Sequence, residues 1–154
     1  MISISRLFPN TPEIATCARW RIAAFSDVLG TDVEQEQARL NEFASGTERQ
    51  AGLLAYWNGE PAGVCLLAPN EIEPCHPVTP WLAGLFVSPK FRGRGLAKAL
   101  VGAVEQEALR SGNARIYLYT DDAENFYRKL GWIVDERGVW HDMPMSLMSK
   151  ILAP

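Results

Sequence analysis

Six consecutive residues have the types and order expected of a turn that binds a phosphate group: Arg92-Gly93-Arg94-Gly95-Leu96-Ala97. A near-continuous apolar run, Trp81 to Val87, precedes this turn, and a helical pattern begins at its end. The first N–H groups of a helix have no partner within the helix, and together with the helix dipole they attract anions. Gly93 and Gly95 carry no Cβ, so the backbone can approach a phosphate closely. The two arginines would add guanidinium donors that suit phosphate oxygens.

This turn differs from two other phosphate-binding loops. Gly95 is followed by Leu96 and Ala97 rather than by Lys-Ser or Lys-Thr, so it is not the P-loop of a nucleotide hydrolase. It also lacks the GxGxxG pattern of a dinucleotide-binding fold. A nucleotide hydrolase is therefore a disfavoured alternative, because no arranged aspartates for magnesium accompany the turn. The alternative to a phosphate-binding turn is a loop between strand and helix in which the glycines serve only the backbone geometry.

Tyr127 lies in a second segment that could carry chemistry. Ala123, Phe126, Tyr127 and Leu130 are spaced i, i+3, i+4 and i+7, so they share one face of a short helix. That spacing by itself indicates core packing. The same tyrosine could serve as an acid, because a phenol with an unperturbed pKa of about 10 holds its proton at neutral pH.

Both segments resemble signatures of the GCN5-related N-acetyltransferases. The first signature, Arg/Gln-x-x-Gly-x-Gly/Ala, is matched by Arg92-Gly93-Arg94-Gly95-Leu96-Ala97. The second, an aromatic-Tyr-x-x-x-Gly-aromatic run, is matched by Phe126-Tyr127-Arg128-Lys129-Leu130-Gly131-Trp132. The resemblance extends from about Ala51 to the C-terminal end of the sequence.

The resemblance implies acetyl-CoA as cofactor and no metal. The pyrophosphate would lie on the amides of the turn, and the backbone of the preceding strand would pair with the pantetheine arm. It implies direct transfer to a primary amine, with the Val87 N–H polarising the thioester carbonyl and Tyr127 protonating the CoA thiolate. Positioning of the two reactants would be the main contribution of the protein. The implied cofactor-binding residues are Leu85, Phe86, Val87, Arg92, Gly93, Arg94, Gly95, Leu96 and Ala97.

Two family positions carry unexpected residues in this chain. Thr120 stands where many members have a pantetheine-contacting asparagine, and whether Thr120 or Asn125 replaces it stays open. Leu82 stands where some members have a glutamate base, and Trp81–Val87 contains no carboxylate. The general base therefore stays open between water, a backbone carbonyl and four side chains: Glu71, Glu73, His76 and Asp122.

The changing hydrophobic period along the chain predicts the order β-α-α-β-β-β-α-β-α-β-β. Asn58-Gly59 signals a tight hairpin, and Pro69–Pro80 is predicted to be a loop. The central strand–helix–strand unit requires a right-handed crossover between parallel strands. We predict one α/β domain over residues 1–154, a mixed-sheet fold like that of the N-acetyltransferases, with the fourth and fifth strands splayed for the pantetheine arm. The run Trp81–Val87 predicts a strand buried on both faces.

Composition disfavours several classes of protein. The 154 residues are 47% hydrophobic with a net charge of −3, as in an ordinary globular domain without a basic footprint for nucleic acid. The sequence contains no run of about 18 apolar residues, so it predicts no membrane-spanning helix. The N-terminal residues lack a signal-peptide pattern, and the three cysteines lack CxxC spacing, so we expect reduced thiols in the cytoplasm. The two histidines do not flank a cysteine pair, which disfavours a zinc site.

The acceptor stays open in the sequence. Protein N-termini, lysines, aminoglycosides, polyamines and amino acids are all compatible, and nothing specifies or excludes a homodimer. Acidic loop residues would favour a cationic amine by electrostatic attraction: Glu71, Glu73, Asp121 and Asp122. A non-catalytic acyl-CoA sensor on the same fold is the second interpretation, since it would keep the phosphate-binding turn and not need Tyr127.

Overall fold

The helices and strands follow the predicted order. In this computed structural model the described residues are 1–46, 49–71, 76–140 and 142–152. The strands there are β1 (Ile2–Arg6), β2 (Ala51–Trp57), β3 (Glu60–Ala68), β4 (Trp81–Val87), β5 (Arg115–Thr120), β6 (Ile133–Trp140) and β7 (Met143–Ile151). The helices are α1 (Pro12–Leu29), α2 (Val33–Ala44), α3 (Leu96–Arg110) and α4 (Glu124–Lys129). None of these helices combines the length and apolar character needed to cross a membrane.

All seven strands belong to one mixed sheet with the order β1-β2-β3-β4-β5-β7-β6. Neighbouring strands are antiparallel except for β4 and β5, which are parallel. Helix α3 connects these two strands, because parallel neighbours need a crossover connection rather than a hairpin. The crossover places the predicted phosphate-binding turn at the carboxyl end of β4.

Hydrophobic residues form a core on each face of the sheet. Helix α3 covers one face with the apolar stripe predicted from its sequence, and Tyr127 and Trp132 belong to the same cluster. Helices α1 and α2 cover the other face over β2, β3 and part of β4. Successive side chains of a strand point to opposite faces, so β2, β3 and β4 contribute to both cores.

Local sequence signals account for the ends of several elements. Asn58 and Gly59 have φ angles of 49° and 85°, the left-handed values that a two-residue hairpin turn requires. Asp32 caps α2: its side chain accepts from the Gln35 N–H, and the Gln35 side chain accepts from the Asp32 N–H. These signals fix where the chain reverses and therefore which strands become neighbours.

Candidate active site

Strands β4 and β5 are joined at one point and then separate. Trp81 is in register with Tyr117, and the Tyr117 N–H donates to the Pro80 carbonyl at 3.1 Å. Beyond this pair, β5 is paired with β7 on its other edge, and β4 is paired with β3. The edges that β4 and β5 turn toward each other are therefore open, and this V-shaped gap confirms the predicted splay.

The prediction that Trp81–Val87 is buried on both faces is wrong for most of the strand. Trp81 and Leu82 are buried, but residues 83–87 are only partly buried. The gap explains the difference, because beyond Trp81 strand β5 does not cover that edge of β4. The three residues predicted to contact pantetheine, Leu85, Phe86 and Val87, lie in this open part.

The backbone at the end of β4 directs one N–H group into the gap. The Ser88 N–H donates to the Ala62 carbonyl of β3 at 2.8 Å. Because successive N–H groups of a strand point to opposite edges, the Val87 N–H points away from β3 and toward the gap. Val87 is the residue whose N–H was predicted to polarise the thioester carbonyl.

The turn after β4 leaves the first N–H groups of α3 without a side-chain cap. Gly93 and Gly95 have φ angles of 79° and 83°, and a Cβ built on either would meet no atom within 4 Å. Gly95 precedes the helix without a side-chain cap, and the first helical bond runs from the Ala99 N–H to the Gly95 carbonyl. The N–H groups of Leu96 and Ala97 therefore lack a partner within the helix.

The two arginines of the turn are held by neighbouring groups. Arg92 donates from Nε to the Val87 carbonyl at 3.0 Å. The guanidinium of Arg94 lies 4.9 Å from the centre of the Trp57 ring and 5.9 Å from that of Phe91. Both side chains are on the exposed part of the turn, so each brings its positive charge to the N-terminal end of α3.

Tyr127 lies on the α3 side of the sheet. Its side chain is 6% exposed, and its ring makes edge contacts with Phe126 and Trp132 at centroid distances of 5.0 and 5.8 Å. Burial raises the pKa of the Tyr127 phenol above its usual value, and the Cys65 thiol and the Asp122 carboxyl raise it further. Tyr127 is therefore protonated at neutral pH, and its role as an acid stays a prediction.

Charged groups hold the short helix α4, and Tyr127 with it, against the sheet. Glu124 in its first turn accepts from Arg137 Nε and Nη2 on β6 at 3.1 and 3.0 Å, and from the Ser146 hydroxyl on β7. The Arg137 and Ser146 hydrogen bonds lower the pKa of Glu124 to about 2. Six residues alone would be too few for a stable helix in water, so these contacts fix its position.

The sequence matches the family described as the acetyltransferase (GNAT) family across residues 14–132. The chain belongs to the GNAT family. A curated relative, mycothiol acetyltransferase from Nocardia farcinica, is 37% identical over 111 residues. That alignment covers 71% of this chain and 33% of the relative, so the chain spans about a third of the length of that protein. Family membership supports acetyl transfer as the class of reaction.

Solved structures share the fold over almost the whole chain. Aminoglycoside 6'-acetyltransferase type Ii superimposes with a TM-score of 0.76 at 22% identity, covering 99% of this chain and 98% of that chain. An aminoglycoside 6'-N-acetyltransferase complexed with coenzyme A gives 0.76 at 19% identity, with the same coverage of 99% and 98%. The predicted GNAT fold is thereby confirmed.

The two residues considered for the pantetheine-contacting asparagine of GNAT proteins lie in different settings. Thr120 is 7% exposed, and its hydroxyl accepts from the Ala123 N–H at 3.1 Å at the start of α4. Asn125 lies on the exposed side of α4. The Thr120 hydroxyl thus supports the local turn, and a role for either residue toward pantetheine stays a prediction.

The side chains considered for the general base, and Leu82 at the position of the GNAT glutamate, lie in different parts of the structure. Leu82, at the glutamate position, is buried in the core beneath α3. Asp122 is exposed, and the neighbouring Asp121 charge raises the pKa of its carboxyl. Glu71 is partly buried at the start of the loop after β3, and Glu73 lies outside the described residues. The remaining candidate, His76, contacts Tyr119 of β5 and Glu136 of β6.

Sequence reasoning missed a buried ion pair next to the gap. Arg21 of α1 donates from Nε to Glu36 of α2 at 2.5 Å, and the side chains are 9% and 2% exposed. Arg21 Nη1 is buried without a hydrogen-bond partner and lies beside Gly84 of β4. Gly84 has a φ angle of 62°, and a Cβ there would collide with Nη1. The sequence did not predict this ion pair, because Arg21 and Glu36 are fifteen positions apart and meet only when α1 and α2 pack together.

The cysteines are unreactive where the structure describes them. Cys17 and Cys65 are buried free thiols, and Cys75 lies outside the described residues. Burial raises the pKa of Cys17 to about 12 and raises the pKa of Cys65 above its usual range. Neither is a thiolate at neutral pH. Over the described ranges, no three His, Cys, Asp or Glu side chains cluster as a metal site would need.

Proposed function

We propose that residues 1–154 form one N-acetyltransferase domain that moves the acetyl group of acetyl-CoA directly to a primary amine. The observation that carries this proposal is the gap between β4 and β5, with the Arg92–Ala97 turn at its open end and Tyr127 in the core on the α3 face of the sheet. A cytoplasmic location is part of the proposal, supported by the unbridged thiols of Cys17 and Cys65.

The Arg92–Ala97 turn fits a pyrophosphate group. Open space lies beside the backbone of Gly93 and Gly95, and the N–H groups of Leu96 and Ala97 lack helical partners. Arg92 and Arg94 bring two positive charges to the same end of α3. N–H groups without helical partners, open space and cations together favour a doubly charged phosphate ligand. Binding of coenzyme A by the structurally similar aminoglycoside 6'-N-acetyltransferase agrees with this assignment.

The open edge of β4 fits the amide-containing arm of the cofactor. Residues 85–87 have backbone groups directed into the gap rather than to β5, so an extended chain with amide groups could pair with them as a strand would. Acetyl-CoA would supply an activated carbonyl carbon there. The Val87 N–H, which points into the gap, would donate to the oxygen on which negative charge develops.

Tyr127 is proposed as the general acid. When the amine attacks the carbonyl carbon and the carbon–sulfur bond breaks, the thiolate needs a proton. The phenol of Tyr127 is neutral and buried on the side of the gap opposite α1 and α2, so it could donate that proton and be restored from solvent. Transfer needs no covalent enzyme intermediate, which agrees with the protonated state of Cys65.

Two measurements test the proposal. Calorimetry measures acetyl-CoA binding, and thiol release measures turnover with a panel of primary amines. The panel holds polyamines, amino acids, a lysine peptide, an N-terminal peptide and aminoglycosides, the last because the structurally similar protein is an aminoglycoside 6'-acetyltransferase. We expect binding and amine-dependent CoA release. Binding without release on every amine would favour the acyl-CoA sensor, and absence of binding would overturn the assignment of the turn.

A further inference from the structure

A hydrogen-bonded chain of three side chains joins His76, which precedes β4, to residues of β5 and β6. His76 Nδ1 is 2.7 Å from the Tyr119 hydroxyl, and His76 Nε2 is 3.2 Å from Glu136 Oε2. A carboxylate only accepts hydrogen bonds, so Nε2 carries the imidazole hydrogen and Nδ1 is the acceptor for the Tyr119 O–H. The chain therefore runs from the tyrosine hydroxyl through the imidazole to the carboxylate.

The Tyr119 end of this chain lies at the closed end of the gap. Tyr119 is two residues beyond Tyr117, where β4 and β5 part, and its ring stacks on that of Trp81 at 4.7 Å. Leu118 belongs to the α3 core, so Tyr119, the next residue along the strand, points to the opposite face. Tyr127 lies on the α3 face. Tyr119 and Tyr127 therefore approach the gap from opposite faces of the sheet.

Aromatic rings fix the imidazole in this position. The His76 ring meets Trp140 of β6 edge-on at 4.9 Å, and Tyr119 lies 5.6 Å from the same indole. The His76 side chain is 16% exposed, whereas the Glu136 side chain is 55% exposed. The chain thus leads from the part-buried hydroxyl of Tyr119, two residues past the point where β4 and β5 part, to a carboxylate in contact with solvent.

We propose that Tyr119 and His76 form the proton relay that deprotonates the acceptor, and that Glu136 orients the imidazole. This inference rests on the proposed acetyl transfer and names its acceptors as amines that arrive as ammonium ions. Tyr119 is the group that touches the amine, and His76 acts through it. The relay would serve as the general base in place of the glutamate that β4 lacks.

The ammonium N–H gives its proton to the Tyr119 oxygen while the Tyr119 proton passes to His76 Nδ1, so the tyrosine stays neutral. The imidazolium, hydrogen-bonded to Glu136, passes its Nε2 proton to solvent on the exposed side, and exchange of the remaining Nδ1 proton with water restores the starting tautomer. The neutral amine then attacks the carbonyl from the face opposite Tyr127, which protonates the departing sulfur. Among the described residues, the groups that titrate or carry charge and contact His76 are Tyr119 from β5 and Glu136 from β6.

The relay is tested with two acceptors of different basicity. The most active amine of the panel is an ammonium ion at pH 7.5, and its β,β-difluorinated analogue is largely neutral there. We compare the wild type with His76→Gln and Tyr119→Phe, measuring kcat/KM by thiol release. Tyr117→Phe is the matched control, because its ring also lies against Trp81, at 6.0 Å, and it is outside the relay. Acetyl-CoA calorimetry on each variant verifies that the cofactor site is intact.

We expect both relay variants to lower kcat/KM by roughly 10²-fold for the ammonium acceptor and to change it little for the fluorinated one. Added imidazole should partly restore His76→Ala with the ammonium acceptor. Equal losses on both acceptors, or no loss on either, would overturn the relay and leave acetyl transfer standing. Absence of turnover by the wild type on every amine would instead overturn the proposed function, and the relay with it.

Discussion

The guanidinium of Arg21 lies in the space that a side chain at Gly84 would occupy. This contact joins α1 to β4 beside the gap, and Glu36 of α2 holds the same guanidinium by an ion pair. Gly84 thus has two constraints, a left-handed φ angle and a buried cation at van der Waals distance. Because Arg21 is itself held, it cannot move away at low cost.

Gly84→Ala should lower the free energy of unfolding more than Gly30→Ala. Both glycines have φ angles near 60°, at 62° and 61°, but a Cβ at Gly30 meets no atom within 4 Å. Backbone strain of about 1–2 kcal/mol is common to both variants. The collision with Arg21 should add roughly 1–3 kcal/mol at Gly84. Urea denaturation of the two variants measures the difference, and equal losses would mean that Arg21 repacks freely.

Gly95→Val should weaken acetyl-CoA binding severely, since a branched side chain would stand where the pyrophosphate is proposed to lie. Gly112→Val is the matched control, because Gly112 follows the other end of α3 with a φ angle of 89° and equally open surroundings. Both variants should lose similar stability, and calorimetry should find binding impaired in Gly95→Val alone. Unchanged affinity in Gly95→Val would contradict the assignment of the turn.

Tyr127→Phe should keep acetyl-CoA affinity and lower turnover by roughly 10²–10⁴-fold, the span of a well-placed general acid. The phenyl ring preserves the contacts with Phe126 and Trp132, so the core should stay intact. Tyr56→Phe on β2, in the core beneath α1 and α2, serves as the control. If Tyr127→Phe retains wild-type turnover, the tyrosine is a core residue and the thiolate is protonated by another group.

Stability should fall as the solution becomes alkaline. Burial raises the pKa of Cys17 from 9.0 to about 12, and the pKa values of Cys65 and Tyr127 also lie above their usual values. The unfolded chain therefore releases these protons first, so the stabilisation is complete below about pH 9 and is lost at higher pH. Each group contributes about 1.4 kcal/mol per pH unit between its unfolded and folded pKa values.

Urea denaturation between pH 8 and pH 10.5 measures this slope. Cys17→Ala should lose some stability at neutral pH through the cavity that it leaves, and its slope above pH 9 should be shallower than that of the wild type. An unchanged slope would show that the Cys17 thiol does not stay protonated in the folded chain.

Short-range patterns were sufficient for the features with the strongest sequence signals. The turn at Gly93 and Gly95 could be predicted because strand, glycines and helix follow one another within a few residues. The face of α4 that holds Tyr127 could be predicted from helical spacing. The hairpin at Asn58-Gly59 follows from the positive φ angles that these residues tolerate. In each case the physical cause is local backbone geometry, which a short sequence determines.

Longer-range relationships were decided by the tertiary structure. The apolar run Trp81–Val87 indicated burial, yet only its first two residues are buried, because the splay of β5 depends on how β5 pairs with β7. His76 meets Tyr119 and Glu136 across 43 and 60 positions of sequence. Thus the sequence by itself determined the elements and the turn between β4 and α3. The order of strands in the sheet decided which distant polar groups come together beside the gap. The alternation of apolar residues predicts which face of a strand is buried, but it does not predict which strands are neighbours.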